Sequence, residues 1–256
     1  MKIHPTAIIS PKADIDKGVE VGPYAIIEDR VKIKKGTKIG AHCLVTGWTT
    51  IGENNVIYTG AIIGSRSQDL KYRGEKSFLI IGKNNIFREY MTVNPGTEEG
   101  SKTVIGDNNT FMAYSHIAHD CTLGNNIIIA NNGTLAGYVT VEDKAIMGGL
   151  VAIHQFGKVG TLSITGGCSK VVQDIPPYST VDGRPARIFG INSLGLQRAG
   201  VEKQIQTDLK RAFRILFNSG LAMSNAIKRV ESEIPKSKEM THLIKFITQS
   251  KRGVCR

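Results

Sequence analysis

The sequence predicts a mainly β fold, a parallel β-helix of hexapeptide repeats followed by a small α-helical C-terminal domain. Three observations carry this. A large apolar residue recurs at every sixth position from Ile3 to Val171, and of these 29 positions 25 are Ile, Val, Leu, Met or Phe. The residue two places earlier is usually small, as at Ala7, Ala13, Ala25, Cys43, Ala61, Ser115 and Cys121. After about residue 176 the period changes to that of amphipathic helices. A period of six suits neither a helix nor a hairpin ladder. It suits short strands that turn after each hexad, with alternate side chains facing inward.

The hexads run unbroken from Ile3 to Ile63. The misses at Asp69, Glu75 and Glu99 fall in "SRSQDLKYRGEKS" and "PGTEEGSK", which predicts loops near 64–80 and 95–104. Thr165 is the one other miss. Gly18, Gly36, Asn54, Asn108 and Asn126 lie at multiples of 18, and both residue types accept a left-handed backbone. A corner at that interval implies a triangular coil of 18 residues, hence nine to ten coils. "DIPPYSTVDGRPARIFG" then interrupts the pattern. Ile205, Leu209, Ala212, Phe213, Leu216 and Phe217 mark one helix, ended by Asn218-Ser219-Gly220. Further helices are expected over about 221–233 and 238–250. The predicted domains are thus 1–190 and 191–256.

The charge is uneven. The chain carries +11, and residues 191–256 hold 13 Lys/Arg against 5 Asp/Glu. A basic helical domain is either a solvated cap or a dock for an acidic partner. Nucleic acid is disfavoured, because no aromatic platform or recognised binding module accompanies the charge. The four cysteines are scattered, with no CxxC pair, which points to a reducing compartment. "MKIHPTAI" lacks the apolar run of a signal peptide, and no window is long and apolar enough for a membrane span. The expectation is a cytoplasmic protein.

The chemistry concentrates in "HIAHDCTLGNN", residues 116–126. His119 lies two residues past the inward-facing Ile117, near a corner, and Asp120 follows it. One coil further on is Gly137, and successive coils are separated by roughly 4.8 Å. An imidazole next to a backbone amide suits acyl transfer. The base takes a hydroxyl proton, the amide holds the oxyanion, and Asp120 orients the ring. Spacing alone leaves an incidental surface pair open. A zinc site of the kind found in hexapeptide-repeat carbonic anhydrases is disfavoured, since His116 and His119 do not match their H-x4-H spacing. No metal is expected.

"HIAHDCTLGNN", "NNGTLAG", "AIHQFGKVG", "GGCSKVVQDIPPYS" and "SQDLKYRGE", in this order and spacing, resemble the UDP-N-acetylglucosamine O-acyltransferases of the hexapeptide-repeat acyltransferase family. The resemblance spans the whole chain. It implies a left-handed coil and a cytoplasmic homotrimer with sites between adjacent β-helices. It implies transfer of a 3-hydroxyacyl group from acyl carrier protein to the 3-position of UDP-GlcNAc, the first step of lipid A biosynthesis, without a cofactor. By motif, His119 is the general base, Asp120 its partner and Gly137 the oxyanion donor. Gln68, Asp69 and Lys71 contact substrate, and His116, His154 and Gln155 line the cleft. Gly167 gauges acyl length, and Asn192 and Arg198 hold the nucleotide. The acidic carrier protein gives the basic domain its partner.

The chain departs from the family pattern in places. Tyr138 occupies a substrate-binding position that is usually histidine. Asn94-Pro95, Lys170, Leu194 and Ala199 are also unusual. They leave open an acceptor with a 3-amino group, which would make the product an amide. The related N-acyltransferase of the same pathway carries an extra N-terminal domain, for which hexads starting at Ile3 leave no expected place. A non-catalytic trimeric scaffold is the alternative outside enzymes, and it would not need His119.

Overall fold

The computed structural model describes residues 2–256. From Lys2 to Val171 the chain winds as a left-handed parallel β-helix whose short strands stack into three parallel sheets. Face 1 includes Lys2–Ile3, Val56–Ile57, Ile86–Phe87, Ile128–Ile129 and Ile164–Thr165. Face 2 includes Ile8–Ile9, Thr92–Val93, His116–Ile117, Thr134–Leu135 and Ala152–Ile153. Face 3 includes Asp14–Ile15, Trp48–Ile51, Phe78–Ile81, Lys102–Ile105 and Thr140–Val141. In the regular coils, residue i pairs with i+18, as in Ile117↔Leu135↔Ile153.

The two loops lengthen that step without disturbing the stack. Ile57 pairs with Phe87, and Phe87 with Phe111. The inward residues therefore still superpose, and the Phe87 and Phe111 rings lie 5.2 Å apart in the core. Both loops end sooner than the hexad misses suggest, because strands resume at Phe78 and Lys102. Thr165 keeps its inward place and is buried, so it substitutes within the pattern rather than leaving it.

The corners differ from the expectation. A left-handed residue stands at all three corners of a coil, for example Asp120 (φ 59°), Asn126 (φ 57°) and Asn132 (φ 59°). The Gly/Asn series at multiples of 18 marks only one of the three edges. The others carry residues as bulky as Tyr138 (φ 61°) and Phe156 (φ 65°). Each costs about 1–2 kcal/mol of backbone strain, which the ladders on both sides over-determine.

Beyond Val171 two antiparallel strands, Ser179–Gly183 and Ala186–Ile191, extend face 1 through Ile164↔Thr180. The sequence reading missed this hairpin. It also missed α1, Ser193–Arg198, which precedes α2 (Lys203–Asn218), α3 (Met223–Glu233) and α4 (Lys238–Thr248). Asn192 caps α1 by accepting from Gly195 N at 2.9 Å, and Ser237 caps α4 by accepting from Met240 N at 3.0 Å. The α3 and α4 boundaries fall up to two residues inside those expected. A second core, built on Leu209, Phe213, Leu216, Val230, Leu243 and Phe246, joins the helices. His242 Nε2 on α4 lies 2.8 Å from Glu142 Oε2 on the coil and ties the two parts together.

Candidate active site

His119 precedes the corner residue Asp120, where face 2 turns into face 3. Ile117 anchors this segment in the core with no exposed surface. The inward pull on Ile117 and the left-handed turn at Asp120 send the His119 side chain outward along the edge, under the next coil. There it lies against Gly137. A Cβ at Gly137 would stand 2.4 Å from His119 Cε1 and 2.5 Å from Nε2. Gly137 is not a left-handed residue, so its bare Cα serves space rather than backbone freedom. The neighbouring amides are committed to the ladder, Ala136 N to Ile153 O and Tyr138 N to His119 O.

The ring is held on both sides. His119 Nδ1 lies 2.9 Å from Asp120 Oδ2, a contact in which the ring N–H donates and the carboxylate accepts. Its Nε2 lies 3.8 Å from Asp69 Oδ2, too far for a hydrogen bond but close enough for charge to be felt. Asp69 comes from the first loop, and its Oδ1 accepts from Lys71 N at 2.8 Å. Thr97, from the second loop, donates its backbone N–H to Asp120 Oδ2 at 3.1 Å. Tyr138 meets the imidazole edge-on at 5.3 Å and stacks on Phe156 at 4.8 Å, lining the same edge with aromatic surface.

A cavity of about 330 Å³ opens here, lined by Asp69, Lys71, Glu75, Thr97, Glu98, Tyr138, Gln155 and Phe156. Its charge is mostly negative. Burial raises the Tyr138 phenol, and the charges of Asp120, Glu98 and Asp69 raise it further, so the hydroxyl stays protonated. His116 shares face 2 with His119. Its Nδ1 pairs with Thr92 Oγ1 at 2.7 Å, and burial, followed by the charge of His119, lowers its pKa. Burial pushes Cys121, one residue past Asp120, up to about 12, which leaves it an inert core thiol.

Not all the expected site residues meet. Asp69, Lys71, His116, His119, Asp120, Gly137, Tyr138 and Gln155 lie along one stretch of this edge and face. Gln68 is exposed on the first loop and does not line the cavity. His154, exposed beside Gln155, places Nδ1 3.1 Å from that residue's carbonyl oxygen. Gly167 sits on the opposite edge of face 2, next to the left-handed Cys168. Asn192 and Arg198 line a different cavity of about 310 Å³ with Asn126, Ile128, Lys144 and Ile146. This second cavity lies on face 1 and the edge it shares with face 3. One chain therefore keeps these two groups of residues on different edges of the coil. Thr97, Ser67, Thr92 and Phe156 escaped the sequence reading. Phe156 could have been found by adding 18 to Tyr138. The other three carry no local signal, since their partners lie 23 to 30 residues away. Among the described residues no group of three or more His, Cys, Asp and Glu is placed to hold a metal ion.

Comparison with known proteins decides the family. Residues 174–255 match the family described as "Udp N-acetylglucosamine O-acyltransferase; Domain 2", and residues 102–137 match "Bacterial transferase hexapeptide (six repeats)". The acyl-[acyl-carrier-protein]–UDP-N-acetylglucosamine O-acyltransferase of Myxococcus xanthus is 48% identical over 100% of this chain and 99% of its own. The chain belongs to the acyl-[acyl-carrier-protein]–UDP-N-acetylglucosamine O-acyltransferase family. The family's solved structures carry the same coil and helical tail. LpxA from Acinetobacter baumannii superposes with a TM-score of 0.95 at 44% identity, covering 99% of both chains. LpxA from Bacteroides fragilis gives 0.96 at 40%, also covering 99% of both. No helix among the described residues is long and apolar enough to cross a membrane.

Proposed function

We propose that this protein transfers a 3-hydroxyacyl group from acyl carrier protein to the 3-position of UDP-GlcNAc, the first step of lipid A biosynthesis. The observation that carries the mechanism is the His119–Asp120 pair lying over the bare Cα of Gly137. With Nδ1–H held by Asp120, Nε2 keeps its lone pair and lies beside Asp69 at the cavity wall. It takes the proton of the sugar 3-hydroxyl as that oxygen attacks the thioester carbonyl carbon. The Gly137 N–H holds the oxyanion of the tetrahedral intermediate. Collapse breaks the C–S bond, and the imidazolium returns its proton to the departing thiolate. Asp69, 3.8 Å from Nε2, stabilises the ring while it is protonated. The thioester supplies the activation, so the step calls for no cofactor or metal.

Taken as two half-sites, these separate groups support a homotrimer in which Asn192 and Arg198 of one protomer face the His119 edge of the next. The guanidinium then meets the diphosphate, which suits its fork of donors. The basic helical domain, carrying 13 of the chain's 33 Lys/Arg, receives the acidic carrier protein. The proposed setting is the cytoplasm, and the four free cysteines fit a reducing compartment.

A second reading has its own support. Asp69, Glu75 and Glu98 outnumber Lys71 around the cavity, which favours an acceptor carrying an ammonium group, and hence a 3-amino sugar nucleotide. One assay addresses both readings. 3-Hydroxyacyl carrier proteins of several chain lengths are offered with UDP-GlcNAc or its 3-amino analogue, to native protein and to His119→Ala. The variant is checked by sedimentation to be the same trimer. The expected result is transfer by the native enzyme and a loss of about 10³-fold in the variant. Equal rates in the two would overturn the role given to His119.

A further inference from the structure

We infer that Ser67 and Thr97 are positioning residues that lock the two inserted loops together around His119. This rests on the reading of His119 as the base. The contacts form a closed circuit. His119 Nδ1 donates to Asp120 Oδ2 at 2.9 Å, and the backbone N–H of Thr97 donates to the same oxygen at 3.1 Å. The Thr97 Oγ1 and Ser67 Oγ hydroxyls pair at 2.8 Å, both buried. Ser67 Oγ accepts from Asp69 N at 3.3 Å. Asp69 Oδ2 stands 3.8 Å from His119 Nε2, which closes the circuit at the ring where it began.

Each contact does a different job. Two donors on one carboxylate oxygen fix the Asp120 carboxylate, and through it the ring. The hydroxyl pair fixes the distance between the loops, and that distance sets how far Asp69 stands from Nε2. If Asp69 moved inward it would fill the space the acceptor needs. If it moved outward it would no longer steady the imidazolium. Other inter-loop bonds tie the loops together at their bases. Asn94 Nδ2 donates to Ser65 O and Arg66 O, and Lys76 N donates to Glu99 Oε2. The Ser67–Thr97 pair is the link whose two residues bond directly to Asp69 and Asp120, the carboxylates beside the imidazole. Losing it should loosen the geometry of the reacting groups without unseating the loops. Burial adds weight, since a buried hydroxyl without a partner is costly, and this pair gives each one.

Thr97→Val keeps the shape and the backbone N–H while removing the hydroxyl. Thr97→Ser keeps the hydroxyl. Ser67→Ala removes the other partner. The expected result is a fall in kcat of about tenfold in Thr97→Val and in Ser67→Ala, with KM for the acyl carrier protein within about twofold of native. Thr97→Ser should restore kcat to within about twofold, and the double variant Ser67→Ala/Thr97→Val should be no slower than the worse single one. In a His119→Ala background Thr97→Val should cost nothing further, because the residue acts through the imidazole. Native kcat in either single variant, losses that multiply in the double one, or no rescue by Thr97→Ser would overturn the inference. The parallel His119→Ala assay separates the two levels. If His119→Ala is inactive and Thr97→Val is not impaired, only the positioning role falls. If His119→Ala is active, the reading of the base falls with it.

Discussion

In the interior of the coil Asn55, Asn85 and Asn109 repeat one hydrogen-bond pattern, whereas in the loops Ser67 and Thr97 share a contact that no repeat specifies. Asn85 N and Nδ2 donate to Asn55 Oδ1 at 2.9 and 3.0 Å. Asn109 N donates to Asn85 Oδ1 at 2.9 Å, and Ile127 N donates to Asn109 Oδ1 at 2.7 Å. These three asparagines occupy the inward position of the successive coils between which the loops are inserted, where the step changes from 18 residues. Among the other described residues on that row are Val19, Thr37, Ile127, Ala145, Ser163 and Ser179. The comparison teaches a division of labour. Aliphatic side chains stack well in more than one register, but a buried amide without its partner is costly, so the ladder fixes the register where an insertion could let it slip. The loops are thereby free to carry groups the repeat has no use for.

The largest break in this comparison should come from the ladder. Asn85→Ala leaves the half-buried Gly106 carbonyl without the Asn85 Nδ2 donor and the Asn109 N–H, in the core, without its acceptor. The expected cost is about 3 kcal/mol of stability. The denaturant midpoint should fall at constant slope. Turnover per folded molecule should stay within about twofold of native, because the ladder acts on folding and not on the reacting groups. A turnover loss as large as that of a site variant would erase the division.

Gly137→Ala tests the opposite side, with an effect on activity and little on stability. The added methyl would stand 2.4 Å from His119 Cε1, and the imidazole is the movable partner. The ring must swing away from its position between Asp120 and Asp69. A displacement of about 1 Å costs on the order of 10²-fold in rate, so kcat should fall by that factor while the melting temperature stays nearly level. Unchanged turnover would mean that the ring does not act from where it lies.

How far the sequence could be read follows the same division. The repeat was legible because each hexad states its own inward residue, and Gly137 could be placed against His119 by adding one coil. The pairing of His119 with Asp120 was legible because the two are adjacent. What escaped reading depends on contacts the repeat does not encode. Thr97 reaches Asp120 across 23 residues from a polar stretch that reads as solvent-facing loop. The left-handed corners at Tyr138 and Phe156 were hidden because the ladder, rather than residue preference, imposes them. The separation of Asn192 and Arg198 from His119 was hidden because motif order along the chain does not say which edge of the coil each motif occupies.

The smallest expected effect concerns the outer surface of the coil. His116 projects from face 2, and its pKa is lowered from 6.5 first by burial and then by the charge of His119. The unfolded chain therefore takes up a proton near pH 6.5 that the native ring still refuses. As pH falls below 6.5, the unfolded state binds more protons than the native one and stability declines, until the native ring itself titrates and the loss from this group is complete. Above 6.5 the residue contributes no pH dependence. His116→Gln removes the titration while keeping a polar partner for Thr92 Oγ1, which now pairs with the ring at 2.7 Å. The difference in melting temperature between about pH 7.5 and about pH 5.5 should be smaller in the variant than in the native protein, with all other titrating groups common to both. Equal differences would mean that His116 is as well solvated in the folded coil as in the unfolded chain. Its surroundings would then resemble open solvent rather than the ladder beneath it.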